Sequence, residues 1–99
     1  MGSISGIVKL NGAEPNPGVV IQSLDSLTAL VAPVQLGGSF SAQGIPPGSY
    51  RIYGWADISS VPYNTPAFLA HYLDHSAAAK VDEGAAVTGV EVECNRSYL

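Results

Sequence analysis

The sequence has little of what catalytic, nucleic-acid-binding and membrane proteins depend on. Its single cysteine, Cys94, can form neither an internal disulfide nor a cysteine-based metal cluster. We expect no signal peptide, and the sequence has no apolar run long enough to cross a bilayer as a helix. Only 12% of the 99 residues are charged, and four basic residues face eight acidic ones. With a net charge of −4 and no basic patch, we expect no nucleic-acid partner and no membrane insertion.

Catalytic signatures are missing as well. The sequence contains no Gly-x-Ser-x-Gly motif, no phosphate-binding loop and no dinucleotide fingerprint. The weak candidates for a metal site are His71, Asp74 and His75, which share one face if the segment is helical. The sequence has no third histidine, and no glutamate lies between His71 and His75. We therefore favour the interpretation that these are solvent-facing residues at a helix end. We therefore expect no enzyme, no cofactor and no bound metal.

Glycine and proline are abundant instead. The chain has 11 Gly and seven Pro, and 46% of its residues are apolar. This composition is typical of a globular domain with many turns and short strands. The length allows one core, and we expect a single domain over residues 3–95. Because Met1-Gly2 directly precedes the first strand pattern, we expect this domain to have been excised from a larger protein.

One stretch, residues 38–55, organises the rest of the chain. Pro46, Pro47 and Gly48 predict a rigid corner, since proline fixes φ and glycine accepts a positive φ. A strand follows in which Tyr50 and Ile52 face one side. The other side carries Arg51, Tyr53 and Trp55. We expect the Tyr50 ring to be buried and its hydroxyl to bond to backbone in a neighbouring loop.

Alternating apolar and polar residues predict further strands along the chain. They cover Ser3–Leu10, Gly18–Leu24, Thr28–Leu36, Ala77–Val81 and Val87–Asn95. Pro33 cannot donate to a ladder, which indicates an edge strand or a bulge. About seven strands are expected, forming a β-sandwich. The predicted core contains Ile4, Val8, Leu10, Ile21, Tyr50, Ile52, Val90 and Val92.

A short helix is predicted over Pro66–Asp74, because Thr65-Pro66 resembles a helix start and apolar residues recur four apart. Its apolar rows, Phe68 with Tyr72 and Leu69 with Leu73, favour a lid over the Tyr53 and Trp55 face. The alternative leaves that face open as a stacking platform for a sugar. In that case Arg51, Tyr53, Trp55 and Tyr63 would bind the ligand.

Several of these motifs resemble the carboxypeptidase regulatory-like domain. They are Gly6-Ile7-Val8, Pro17-Gly18-Val19, Gly38-Ser39-Phe40 and Gly44-Ile45-Pro46-Pro47-Gly48-Ser49-Tyr50-Arg51-Ile52. The resemblance implies an all-β, seven-stranded Greek-key β-sandwich of transthyretin-like (prealbumin-like) type, here with one short helical insertion at about residues 66–74. The insertion is similar to a variant in large bacterial surface or secreted proteins, on the pattern of Tyr63, Pro66, Phe68 and Leu69. The chain departs from the family at Val34–Gly37, where many members carry an acidic residue.

The resemblance also implies a function. We expect a non-catalytic accessory or interaction module of a larger secreted or cell-surface protein, located outside the cell, in the periplasm or on the cell surface. Its partners would be other domains of the parent chain or a separate protein. The alternative is a carbohydrate-binding module that holds a polysaccharide on the aromatics around Tyr53 and Trp55.

Overall fold

A computed structural model describes residues 1–10, 16–26, 28–35, 37–58, 66–70, 72 and 76–95. These residues form seven strands of five to eight residues, one two-residue strand and one short helix. The elements are β1 Gly2–Val8, β2 Gly18–Ser23, β3 Ala29–Pro33, β4 Ser39–Ile45, β5 Gly48–Trp55, α1 Pro66–Ala70, β6 Ala77–Val81, β7 Ala86–Val92 and β8 Cys94–Asn95. The all-β expectation is confirmed, and β8 is an addition to it.

The strands belong to two sheets. The smaller sheet has the order β4-β1-β7, and the larger has the order β3-β2-β5-β6. β6 pairs with the first part of β5, while β8 pairs with its end at Gly54 and Trp55. β3 lies at one edge of the larger sheet and pairs with β2, so Pro33 stands in an edge strand as predicted.

The inner faces of the two sheets enclose one apolar core, which gives a sandwich-like fold. Seven of the eight predicted core residues are buried there, and Leu10 packs against them partly buried. Cys94 also packs at the margin of this core as a half-buried residue. Alternation predicted this core because strand side chains point to opposite faces in turn.

β7 runs parallel to β1, and their register shifts between Ile4 and Gly6. Gly89, with φ of 72°, lies on β7 at this irregularity. A Cβ added to Gly6 would overlap the carbonyl oxygen of Val90. Glycine at position 6 therefore permits the close approach of β7 to β1.

We expect Gly6→Ala to lower the free energy of unfolding by about 2 kcal/mol, a typical cost of forcing backbone apart in a packed core. Urea unfolding followed by circular dichroism measures this. Ser5→Ala is the matched control, because Ser5 is a half-buried neighbour on the same strand. Equal midpoints for the two variants would contradict the close approach.

The predicted helical insertion is present but only partly described. α1 covers Pro66–Ala70, and Tyr72 follows in a turn. The other positions of the predicted 66–74 span lie outside the described residues. No helix in the described part of the chain is long and apolar enough to span a membrane.

Candidate interaction surface

The outer face of β5 is covered. Tyr53 and Trp55 are each 1% exposed and form a second apolar cluster with Val20 and Leu69. The Tyr72 ring meets Trp55 edge-on, with centroids 4.6 Å apart and an interplanar angle of 72°. The prediction that the insertion forms a lid is confirmed for Leu69 and Tyr72. The side chain of Phe68 lies outside the described residues.

Tyr53 and Trp55, two of the predicted ligand-binding residues, are buried and are therefore not available to a ligand in this structure. The Tyr53 hydroxyl donates to Gln22 Oε1 over 3.4 Å inside the protein. Burial raises the pKa of Tyr53, an effect that the nearby Arg51 charge opposes. Arg51 is half-buried on the same face. The covered rings of Tyr53 and Trp55 offer no stacking platform while α1 is in place.

The remaining predicted candidates lie outside the described residues. Tyr63, His71, Asp74 and His75 all belong to this group. Among the residues that the structure does describe, no three His, Cys, Asp or Glu side chains are grouped as a metal would require.

The corner before β5 has the expected geometry. The Tyr50 ring is buried, and its hydroxyl donates to the Pro46 carbonyl oxygen over 2.6 Å. Gly48, with φ of 153°, faces Asp25, and a Cβ there would lie 2.8 Å from Asp25 Oδ2. Burial raises the pKa of Tyr50, and the charge of Asp25 raises it further. The corner is thus held by a local hydrogen bond and by a glycine whose positive φ other residues rarely adopt.

An open cleft of about 390 Å³ lies between this corner and the β2–β3 turn. Tyr50, Pro46 and Pro47 line one side, and Asp25 and Leu30 belong to the other elements. The turn hydroxyls beside the cleft are used in holding the turn. The Ser23 Oγ accepts from the backbone of Asp25 and Ser26, and the Ser26 and Thr28 hydroxyls bond over 2.8 Å.

Two backbone hydrogen bonds at the end of β2 show in which direction the backbone N–H and C=O groups of β2 and β3 point. The Ser23 N–H donates to the Thr28 carbonyl over 2.8 Å, toward β3. The next residue, Leu24, donates to the Ser49 carbonyl over 2.9 Å, toward β5. Because bonding alternates along antiparallel strands, odd residues of β2 bond to β3 and even residues bond to β5.

The register between β2 and β3 shows which backbone groups of β3 bond to β2. Leu30 and Ala32 lie opposite Ile21 and Val19, so their backbone groups bond to β2. The backbone groups of Ala29, Val31 and Pro33 therefore point outward. Among the described residues, no strand pairs with Ala29 or Val31 on that side, whereas Pro33 lies beside β4, where Val34 bridges to Phe40 and the Gln35 N–H donates to the Ser39 carbonyl over 2.7 Å. We call the outward backbone groups of Ala29 and Val31, together with the side chains of Leu30 and Val31, the β3 edge.

The β3 edge is apolar on both faces of its sheet. Leu30 is 38% exposed and lies on the inner face, opposite Ile21. Val31 is 37% exposed and lies on the outer face, opposite Val20. A second cleft, of about 330 Å³, borders Val31 and Pro33 on that side. The β3 edge thus lies between two clefts.

The β3 edge also lies within an uncharged part of the chain. The sequence has no charged residue between Asp25 and Arg51, a segment that contains β3, β4 and the corner. Proteins commonly protect edge strands with charges, especially lysine, or with proline. Here the protection consists of Pro33 and of the bridge from Val34 to Phe40 of β4, both at the end of the strand.

Arg51, Tyr53 and Trp55 were ligand-binding candidates only in the alternative that left the outer face of β5 open, and that face is covered. Two signals for the β3 edge were present. Pro33 indicated an edge strand, and the segment around it lacked charge. The exposure of Leu30 was not predicted, since alternation places a residue on one face of a strand but does not show whether that position is covered.

Comparisons with known proteins provide a likeness of fold. No protein-family model and no curated protein matches the chain. A similar solved structure is the crystal structure of a DUF3823 family protein from Bacteroides ovatus, with a TM-score of 0.56 and 14% sequence identity. The match covers 93% of this chain and 45% of that one, so this chain spans less than half the length of that protein. The likeness extends to the fold alone.

Proposed function

We propose that this domain is a non-catalytic interaction module of a larger secreted or cell-surface protein, and that it docks through the β3 edge. The observation that carries the proposal is an edge strand with outward backbone groups, exposed apolar side chains and no charge. Such edges accept another strand, with backbone bonds supplying affinity and flanking pockets supplying specificity. The two clefts beside β3 are suited to the second task.

The finer family assignment belongs to the same proposal. We place the domain with carboxypeptidase regulatory-like domains of transthyretin-like Greek-key topology. Two sheets around one core and the Tyr50 hydrogen bond to Pro46 support this assignment. The partners are then other domains of the parent chain or a separate protein, outside the cytoplasm. A role in binding polysaccharide would require α1 to uncover Tyr53 and Trp55.

Site-specific photo-crosslinking tests the proposal. Benzoylphenylalanine is placed at Val31 in the full-length chain expressed in its native host, with Thr88 on β7 as the exposed control position. We expect polypeptide adducts at position 31 and few at position 88. Adducts at position 88 alone, or binding of the purified domain to a polysaccharide panel that Val31→Lys leaves unchanged, would contradict docking through the β3 edge.

A further inference from the structure

We propose that the cleft between the corner and the β2–β3 turn, which we call the corner cleft, binds a basic side chain, lysine or arginine, of the polypeptide partner. The inference rests on the proposed function, since the corner cleft borders the β3 edge at Ala29 and Leu30. It adds the chemical class of a residue that the partner must carry. The contact uses the free end of β3 at Ala29, and not the end that lies beside β4.

The walls of the corner cleft are largely apolar. Ile21 and Tyr50 line it from the core and are almost fully buried. Leu30, Pro46 and Pro47 line it as exposed residues. Such walls suit a long side chain with a charged end, because lysine and arginine bury their methylene stems along apolar surface and keep the charge in water.

A single carboxylate supplies the charge of the corner cleft. Asp25 is the only charged residue among the described residues that line it. A Cβ added to Gly48 would lie 2.8 Å from Asp25 Oδ2 and 3.9 Å from Cε1 of the Tyr50 ring. The carboxylate and the edge of the ring therefore lie on either side of one point in the cleft wall. A cation that reaches Asp25 would have its stem against the ring.

The chain itself supplies no cation to this carboxylate in the part that the structure describes. No lysine or arginine there forms an ion pair with Asp25. The next basic residue along the sequence, Arg51, lies on the outer face of β5, whereas Tyr50 faces the core. The net charge of −4 adds a general attraction for a basic partner. A basic side chain from the partner would therefore give Asp25 a counter-charge.

The corner cleft lies on the path of a strand that pairs with the free end of β3. Thr28 and Ala29 both line the cleft, and Thr28 adjoins the turn that carries Asp25. An antiparallel partner segment passes Val31 first and Ala29 next, and then continues past Thr28. We therefore expect the basic residue shortly after the partner residue that lies opposite Ala29.

Titration of the purified domain with two peptides, followed by amide chemical shifts, tests the inference. The probes are acetyl-Val-Ala-Val-Arg-amide and the same peptide with citrulline, which keeps the shape of arginine and removes its charge. At low salt we expect a dissociation constant on the order of 1 mM for the arginine peptide. It should bind about threefold or more tightly than the citrulline peptide, as for an exposed ion pair. Salt at about 0.5 M should reduce this preference by screening the charges.

Two variants locate the preference for arginine. Asp25→Asn removes the charge with little change in shape, so the two peptides should then bind equally. Asp82→Asn is the matched control, because Asp82 is an exposed carboxylate beside the β6–β7 turn and does not line the corner cleft. It should keep the preference. Equal binding of both peptides to the unmodified domain, or a preference that survives in Asp25→Asn, overturns the inference.

Crosslinking from position 31 in the full-length chain separates this inference from the proposed function. Asp25→Lys should lower the yield of polypeptide adducts by about threefold or more, whereas Asp82→Lys should leave it unchanged. That result supports both proposals. Adducts whose yield is the same in Asp25→Lys overturn the basic side chain, while docking through the β3 edge stands. Adducts at position 88 alone contradict docking through the β3 edge, and with it the role of the corner cleft in docking.

Discussion

Leu69→Ala is expected to lower the free energy of unfolding by about 3 kcal/mol, within the range for truncating a buried leucine. Leu69 is fully buried and joins α1 to Val20, Tyr53 and Trp55 on the outer face of β5. The loss would leave a cavity against two aromatic rings. Urea unfolding gives the value, and Ala67→Ser on the exposed part of α1 serves as the control. That control should change stability by less than about 0.5 kcal/mol.

Tryptophan fluorescence provides an independent check on the same lid. Trp55 is the only tryptophan in the sequence and is 1% exposed. Acrylamide should therefore quench it weakly, and quenching should increase in Leu69→Ala. Strong quenching of the unmodified domain, unaltered by Leu69→Ala, would mean an open face and would restore the sugar-binding interpretation of Tyr53 and Trp55.

Tyr50→Ala is expected to cost about 4 kcal/mol, because it removes a buried ring at the corner before β5. Tyr50→Phe keeps the ring and removes only the hydroxyl that donates to Pro46, so it should cost about 0.5–1.5 kcal/mol. The difference between the two variants separates packing from hydrogen bonding. If Tyr50→Phe unfolds at the same denaturant midpoint as the unmodified domain, the hydroxyl contributes nothing.

The difference in free energy of unfolding between the unmodified domain and Tyr50→Phe should also depend on pH. Burial and then the charge of Asp25 raise the folded pKa of Tyr50 above 10.0. Its protonated form therefore stabilises the fold fully below pH 10, and this contribution is lost as pH rises through the folded pKa. Tyr50→Phe has no proton to lose, so its deficit should shrink above pH 10. A deficit that is constant with pH would contradict the raised pKa.

Features that depend only on residues close together in the sequence could be predicted. Pro46, Pro47 and Gly48 set the corner by their own φ preferences, and Tyr50 reaches a carbonyl only four residues away. Alternation correctly placed Ile52 in the core because a strand has a period of two. The lid was predictable because Trp55 needed an apolar cover.

Features that depend on which strands become neighbours could not be predicted. The parallel pairing of β1 with β7 joins distant segments, and no local signal specifies it. Outward N–H groups at Ala29 and Val31 follow from the side of β2 on which β3 lies. The exposure of Leu30 depends on the same placement. Alternation assigns residues to faces of a sheet, but it does not indicate where the sheet ends.

The position of β1 in the middle of the smaller sheet has a consequence for the order of folding. β1 pairs with β4 on one side and with β7 on the other, so the first strand needs one of the last strands to complete its sheet. On a ribosome, β1 must wait without its β7 neighbour until almost all the described residues have emerged. Such distant pairings carry a large loop-closure entropy, which slows folding to the range of milliseconds to seconds. A nascent chain would therefore expose the apolar side chains of Ile4 and Val8 for most of its synthesis.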